Sequence, residues 1–192
     1  MTPIVTTPQE ILKEHLAKTI TLTDSEFDHF FSYLKPYSFK KGQNIISEGD
    51  HVACEYFVLN GCLKTFYINE DQKMFILQFA MPTWWASDYG AIYGAGVATV
   101  NLDCITDTDV LCLTSEDRER LCKENYQLEY FFHWRSNKGY VAQQKRLLSF
   151  MNNDAKGRYE ELMKMYPQLY NIVPKQLIAA YLGVSRETLS RL

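Results

Sequence analysis

The sequence predicts an α+β protein, with helices at both ends of an antiparallel sandwich or jelly roll. Three observations predict it. Apolar residues recur at helical spacing before about residue 37, alternate to about residue 114, and return to helical spacing beyond it. Short runs rich in Val, Ile, Phe and Tyr are separated by turns containing glycine and asparagine. The last twenty residues read as two short helices joined by a tight turn. With 192 residues, 46% of them hydrophobic, the chain can hold one domain of ordinary size and a small one.

Residues 8 to 18 and 24 to 34 are predicted helices, the second capped by Thr23 or Asp24 with Glu26 near the first turn. Phe27, Phe30, Phe31 and Leu34 share its packing side. About eight strands follow between residues 37 and 114, with turns at Lys41-Gly42, Gly49-Asp50, Asn60-Gly61 and Asn69-Glu70-Asp71. Asn60-Gly61, between EYFVL and CLKTFYI, carries the strongest hairpin signal, because both central positions of a type I′ turn need positive φ.

A short helix is predicted over 116 to 123 and a long one from about Leu128 to Met151. The long helix offers two apolar stripes: Phe131, Trp134, Val141 and Leu148 on one, and Leu128, Phe132, Gly139 and Ala142 on the other. The small residues of the second would permit close helix contact. Asn152, Asn153 and Asp154 mark a hinge with cap chemistry, before a further helix in AKGRYEELMKMY.

In the final segment, Ala179, Gly183 and Leu189 supply a small residue, a turn glycine and an apolar anchor at the spacing two packed helices require. Leu177, Ile178 and Leu182 form the apolar side of the first helix, Pro174 fits its first turn, and Ser185 fits the N-cap of the second. Arg186, Glu187, Ser190 and Arg191 are then left exposed. Arginine can bond guanine bidentately, glutamate can accept from cytosine, and hydroxyls suit phosphates. The plainer reading is a helical hairpin with solvated charges.

GVSRETLSRL resembles the recognition-helix segment of the Crp/Fnr transcription regulators, which has a Ser-Arg-Glu-Thr run and an arginine four residues after the glutamate. KKGQNIISEGD followed by YFVLNGCLKTFY is similar to the effector-binding β-roll of that family and of cyclic-nucleotide-binding domains, with Gly42, Gly49 and Gly61 where those folds turn. The resemblance covers about residues 20 to 192. It implies N-terminal helices and a β-roll sensor domain (a double-stranded β-helix or jelly roll) over 1–127. A dimerisation helix over 128–152 and a helix-turn-helix domain over 153–192 complete it. The resemblance carries DNA binding onto Ser185, Arg186, Glu187, Thr188 and Arg191, with Ser190 beside them. It also implies a homodimer on a palindromic operator in double-stranded DNA. One stripe of the long helix would face the roll and the other the partner; the alternative is a helix packed only on its own domain. The sequence stops with the second helix, so a domain lacking a complete β-wing is expected.

The same resemblance argues against cyclic AMP. Members that bind it carry a Gly-Glu pair for the ribose and an Arg-Ser pair for the phosphate, and here Ala98-Thr99 stands where the second pair would. The stretch MPTWWASDYGAIYGAGVATVNLDC has no lysine or arginine, and burying a phosphodiester without a cation is costly. Trp84, Trp85, Asp88, Tyr89 and Tyr93, with Ala98 and Thr99, could instead line a pocket for a neutral, apolar or cationic effector. Equally, the tryptophans could simply fill the roll.

Net charge is −3, with a +2 balance in residues 154 to 192, which excludes binding to nucleic acid by bulk charge alone. No run of eighteen apolar residues and no basic flank before an apolar stretch is present, so a soluble, cytoplasmic protein with no membrane partner is expected. Cys54, Cys62, Cys104, Cys112 and Cys122 form no CxxC pair and read as reduced, mostly buried thiols, with none early enough for an N-terminal iron–sulfur cluster. His15, His29, His51 and His133 show no metal-ligand spacing. No metal, no cofactor and no enzymatic function are expected. The reading is a Crp/Fnr-type transcription regulator; the alternative is a sensing or interaction module of the same fold that has lost DNA binding.

Overall fold

The computed structural model describes residues 6–94 and 96–191. The first five residues and Leu192, where the second helix of the final pair is expected to stop, lie outside them. Helices α1 (Pro8–Ala17) and α2 (Asp24–Ser32) each open on a reciprocal cap. Thr7 Oγ1 accepts from the Glu10 amide while the Glu10 carboxylate accepts from the Thr7 amide, and Thr23 and Glu26 repeat the arrangement. Those donors hold both glutamates below the usual carboxylate range. Leu12, Leu16, Phe27 and Phe30 bury the apolar sides.

Eight strands follow: β1 (Lys35–Phe39), β2 (Asn44–Ile46), β3 (Cys54–Asn60), β4 (Leu63–Ile68), β5 (Met74–Ala80), β6 (Trp85–Ala86), β7 (Asn101–Cys104) and β8 (Thr108–Thr114). They form two four-stranded antiparallel sheets, β1-β8-β3-β6 and β2-β7-β4-β5. Ile46, Val58, Leu63, Ala80, Leu102 and Val110 fill the space between them. The period-two pattern also buries the outer face of the first sheet: Phe57, Trp85, Leu111 and Leu113 meet α1, α2 and the long helix there.

Asn60-Gly61 is not the hairpin the sequence suggested. β3 and β4 belong to different sheets, and this turn carries the chain between them. Only Gly61 has positive φ, at 89°, so the turn is not type I′. A Cβ on Gly61 would lie 2.4 Å from the Asp107 carbonyl oxygen and from Thr108 Oγ1, so the glycine serves a close backbone approach. The tight hairpin is β4–β5, turning over Asn69 to Lys73 with Gln72 at φ 60°.

The chain continues through α3 (Tyr89–Tyr93), α4 (Ser115–Glu124) and the long α5 (Tyr126–Asn152), whose cap Asn125 accepts from the Gln127 and Leu128 amides. The two expected stripes of α5 do not divide as expected. Leu128, Phe131 and Phe132, drawn from both, all bury on the roll, whereas Val141, Ala142 and Leu148 are exposed. Gly139 meets nothing within 4 Å of where a Cβ would stand. The helix outruns the sheet it packs on, so burial changes along its length more than around its circumference.

The C-terminal part comprises α6 (Ala155–Met165), capped by Asp154, then α7 (Leu169–Ile172), α8 (Lys175–Leu182) and α9 (Arg186–Ser190). Pro174 is the N-cap of α8 rather than a first-turn residue, since its ψ of 140° is extended. Leu162, Leu169, Val173, Ile178 and Leu182 form one continuous core with Phe66, Ile76, Phe79 and Met81 of the second sheet and the loop after it. Among the described residues no helix is long and apolar enough to cross a membrane.

Candidate nucleic-acid interface and effector region

Helices α8 and α9 form a compact pair because three positions permit it. Gly183 caps α8 in the left-handed region at φ 70°, Ala179 is buried where the helices approach, and Leu189 is buried inside α9. Ser185 Oγ accepts from the Thr188 amide at 3.1 Å and lies 3.1 Å from the Thr188 hydroxyl, so both residues are engaged in the cap. Arg186, Glu187, Ser190 and Arg191 are exposed, and no ion pair among the described residues involves either arginine. The Glu187 carboxylate is held below its usual range by its own backbone N–H and the Ser185 hydroxyl. Arg186 also borders a cleft of about 500 Å³ between the β4–β5 hairpin, at Gln72 and Lys73, and α8, at Gln176 and Leu177.

The expected effector residues separate into two groups. Asp88, Ala98 and Thr99 come together around α3. Asp88, 4% exposed, accepts from the Ala91 amide at 3.0 Å, the Thr99 amide at 2.7 Å, the Thr99 hydroxyl at 3.2 Å and the Val100 amide at 3.2 Å. Burial alone would raise its pKa, but the amides of Thr99, Ala91 and Val100 together hold it below the ordinary value. Ala98 is buried and exchanges backbone hydrogen bonds with Gly49 and Asp50. The tryptophans diverge. Trp85 packs in the core against Phe57 at 5.2 Å, whereas Trp84 faces Tyr166 of α6 at 5.0 Å. Tyr89 Oη reaches Glu55 at 3.4 Å.

Residues 36–125 match the model of the cyclic nucleotide-binding domain. No curated protein matches the chain. Among solved structures, FixK2 from Bradyrhizobium japonicum superposes with a TM-score of 0.69 at 17% identity, covering 82% of this chain and 81% of that one. The c-di-GMP-responsive global regulator CLP of Xanthomonas campestris gives 0.69 at 14% identity, covering 88% and 89%. The catabolite activator protein of Thermus thermophilus gives 0.55 at 22% identity, covering 88% and 81%. These neighbours are Crp/Fnr-type regulators, and at such identities the likeness is one of fold.

The roll also carries a charge cluster that no sequence motif announced. Glu55 on β3 is 2% exposed and pairs with Arg135 of α5 and, at 3.7 Å, with Arg118 of α4. Arg135 stacks over Trp85 at 4.6 Å and Phe132 at 5.1 Å, while Arg118 stacks over Phe132 at 4.9 Å and Tyr93 at 5.3 Å. Two cations against one carboxylate tie the base of α5 to the roll. They come from positions 55, 118 and 135, so only the tertiary fold assembles them.

Proposed function

We propose that the chain is a homodimeric transcription regulator of the Crp/Fnr type. It reads a near-palindromic operator through α9, and its roll does not take cyclic AMP. The observation that carries the reading is the α8–α9 pair itself: Ala179, Gly183 and Leu189 hold it together, and Arg186 and Arg191 stand exposed without carboxylate partners. Arg186, at the start of α9, is assigned base readout. Ser185, Thr188 and Ser190 are assigned phosphate contact, Glu187 cytosine, and Arg191 the backbone.

Dimerisation is assigned to the side of α5 opposite the roll. Tyr130, Trp134, Asn137, Val141, Gln144, Leu148 and Met151 recur at alternating steps of four and three, the seam of a two-stranded coiled coil. Tyr130 is 45% exposed, Val141 45%, Leu148 50% and Met151 70%. Such a dimer presents two copies of α9 to half-sites about one helical turn apart.

Against cyclic AMP stands Asp88, whose four internal donors leave it committed to the fold, together with the neutral Ala98 and Thr99. Trp84, Trp85 and Tyr89 are accounted for by packing, so an effector would enter only with a rearrangement around α3. Cyclic AMP is expected to leave the melting temperature unchanged, and a saturable upward shift counts against this part of the reading.

The test is a titration of labelled operator, found by selection from random DNA, at fixed salt. Arg186→Ala is expected to lower the preference for operator over random duplex roughly 5- to 150-fold, with the sedimentation coefficient unchanged. Equal discrimination by the variant removes Arg186 from the reading role. A module of this fold that has lost DNA binding is favoured by the small charge excess, +2, of residues 154 to 192. Uniformly weak binding to every sequence at moderate salt selects that second reading.

A further inference from the structure

Two of the five cysteines meet across neighbouring strands of the first sheet. β3 and β8 are in antiparallel register with Cys54 opposite Thr114 and Tyr56 opposite Cys112, so the two cysteines are diagonal neighbours. The period of two turns both toward the roll interior, since Phe57, Leu111 and Leu113 occupy the other face. Lying diagonally on that face, the two thiols are near enough for each to perturb the other. Cys112 is buried, Cys54 is half-buried, and Lys35 on β1 is the register partner of Cys112.

We propose that Cys54 and Cys112 are a peroxide-reactive dithiol, with Cys54 the attacking sulfur and Cys112 the resolving one, which closes a cross-strand disulfide in the first sheet. The Cys54 thiolate attacks one oxygen of a hydroperoxide. An S–O bond forms, the O–O bond breaks, and the leaving oxygen departs as water or an alcohol after taking a proton. Cys112 then attacks the sulfenic sulfur, forming the S–S bond, and the hydroxyl leaves as water with the Cys112 proton. Two thiols are oxidised and one peroxide is reduced.

The electrostatics suit those roles. The neighbouring Cys112 lowers the Cys54 thiol below its ordinary value, against burial and with help from Lys35, which favours the thiolate of Cys54 over that of any other cysteine near neutral pH. Cys112 is pushed up by its neighbour Cys54 and by burial, which keeps it protonated until the sulfenic acid forms. Burial pushes Cys62 to about 12 and Cys104 to about 11, so neither competes. Low pKa, partial exposure and an adjacent resolving thiol are the features of a redox-sensing cysteine. Diagonal partners on a sheet stand about 7–8 Å apart at Cα, more than a relaxed disulfide spans, so closure draws β3 toward β8 and the bond is readily reduced. The Ser115 amide donates to the Ala53 carbonyl at 2.7 Å beside the pair, where the chain enters α4 and then α5.

The test uses the reduced full-length protein, treated with hydrogen peroxide, quenched by alkylation and mapped by peptide mass. A Cys54–Cys112 cross-linked peptide, lighter by two hydrogens and restored by dithiothreitol, is expected. Cys112→Ser should leave a sulfenic acid at Cys54 that dimedone traps. At pH 7, iodoacetamide should label Cys54 of the untreated protein about tenfold faster than Cys122, a measurement that needs no variant. Absence of the cross-linked peptide while other cysteines oxidise overturns the proposal, as does labelling of Cys54 no faster than Cys122.

Discussion

Gly61 and Gly139 have opposite surroundings. Gly61 sits at φ 89° with Asp107 and Thr108 backbone where a Cβ would go, so Gly61→Ala should cost about 2–4 kcal/mol in urea unfolding. Gly139 lies in the exposed middle of α5 with open space around it, and Gly139→Ala should raise stability by about 0.5–1 kcal/mol in the same assay. His15 makes a pH prediction. It lies against Phe57 at 5.1 Å and Phe131 at 5.7 Å, and burial, with Lys18 and Arg135 nearby, lowers its pKa to about 4. The folded state therefore favours the neutral ring, and its contribution is fully present above about pH 6.5 and lost as pH falls toward 4. Partial contact with water limits the effect to on the order of 1–2 kcal/mol, and His15→Gln should flatten stability against pH across that window. Ser185 and Gly183 were legible because each acts within four residues of itself. Asp88 was legible as a polar residue in the cassette, but its donors at 99 and 100 were not.

Among the elements, α5 shows how far periodicity reaches. Its extent was legible to within about two residues at each end, yet its two stripes were misdivided, because the sequence does not say where the roll beneath a helix stops. Phe131, grouped with Trp134, Val141 and Leu148 by spacing, turns into the core, whereas Val141 and Leu148, with Tyr130, are exposed. If their side is the dimer seam, Val141→Glu with Leu148→Glu should yield a monomer in sedimentation velocity with the far-ultraviolet circular dichroism unchanged, since neither residue is buried in the protomer. A variant that remains dimeric moves the interface elsewhere. Asn60-Gly61 repeats the lesson among strands: a correct turn was read, and the wrong strands were paired across it.

Across the whole molecule, the C-terminal helices are fastened to the protomer's own roll. Arg146 on α5 donates to the Leu77 carbonyl, to the Ile76 carbonyl at 2.7 Å and to the Tyr181 carbonyl of α8 at 3.0 Å, with its guanidinium 4.0 Å from the Tyr181 ring. Phe79 of β5 stacks on Tyr181 at 5.3 Å. One side chain thus joins three elements, and Arg146→Met leaves three carbonyls without their donor. The expected cost to docking is about 2–3 kcal/mol, read as faster amide exchange in α8 and faster proteolysis between α5 and α6, with exchange in β3 and β8 unaltered. Equal acceleration in the roll would mean that Arg146 supports the entire fold.

The sequence by itself determined what hydrogen bonds and periodicity within a few residues can specify. That covers the cap at Ser185, the cap chemistry at residues 23 to 24 and 152 to 154, the change of period near residue 37, the strand-rich stretch that follows, the long helix, and the Ala179, Gly183 and Leu189 anchors. It also determined one chemical absence, the lack of any cation from Met81 to Cys104. Tertiary structure alone decided which strands pair, that Glu55, Arg118 and Arg135 meet, that Cys54 lies diagonally across from Cys112, and which part of α5 is covered. Each of these depends on groups tens of residues apart, whose meeting is set by how the sheets and helices stack rather than by local spacing.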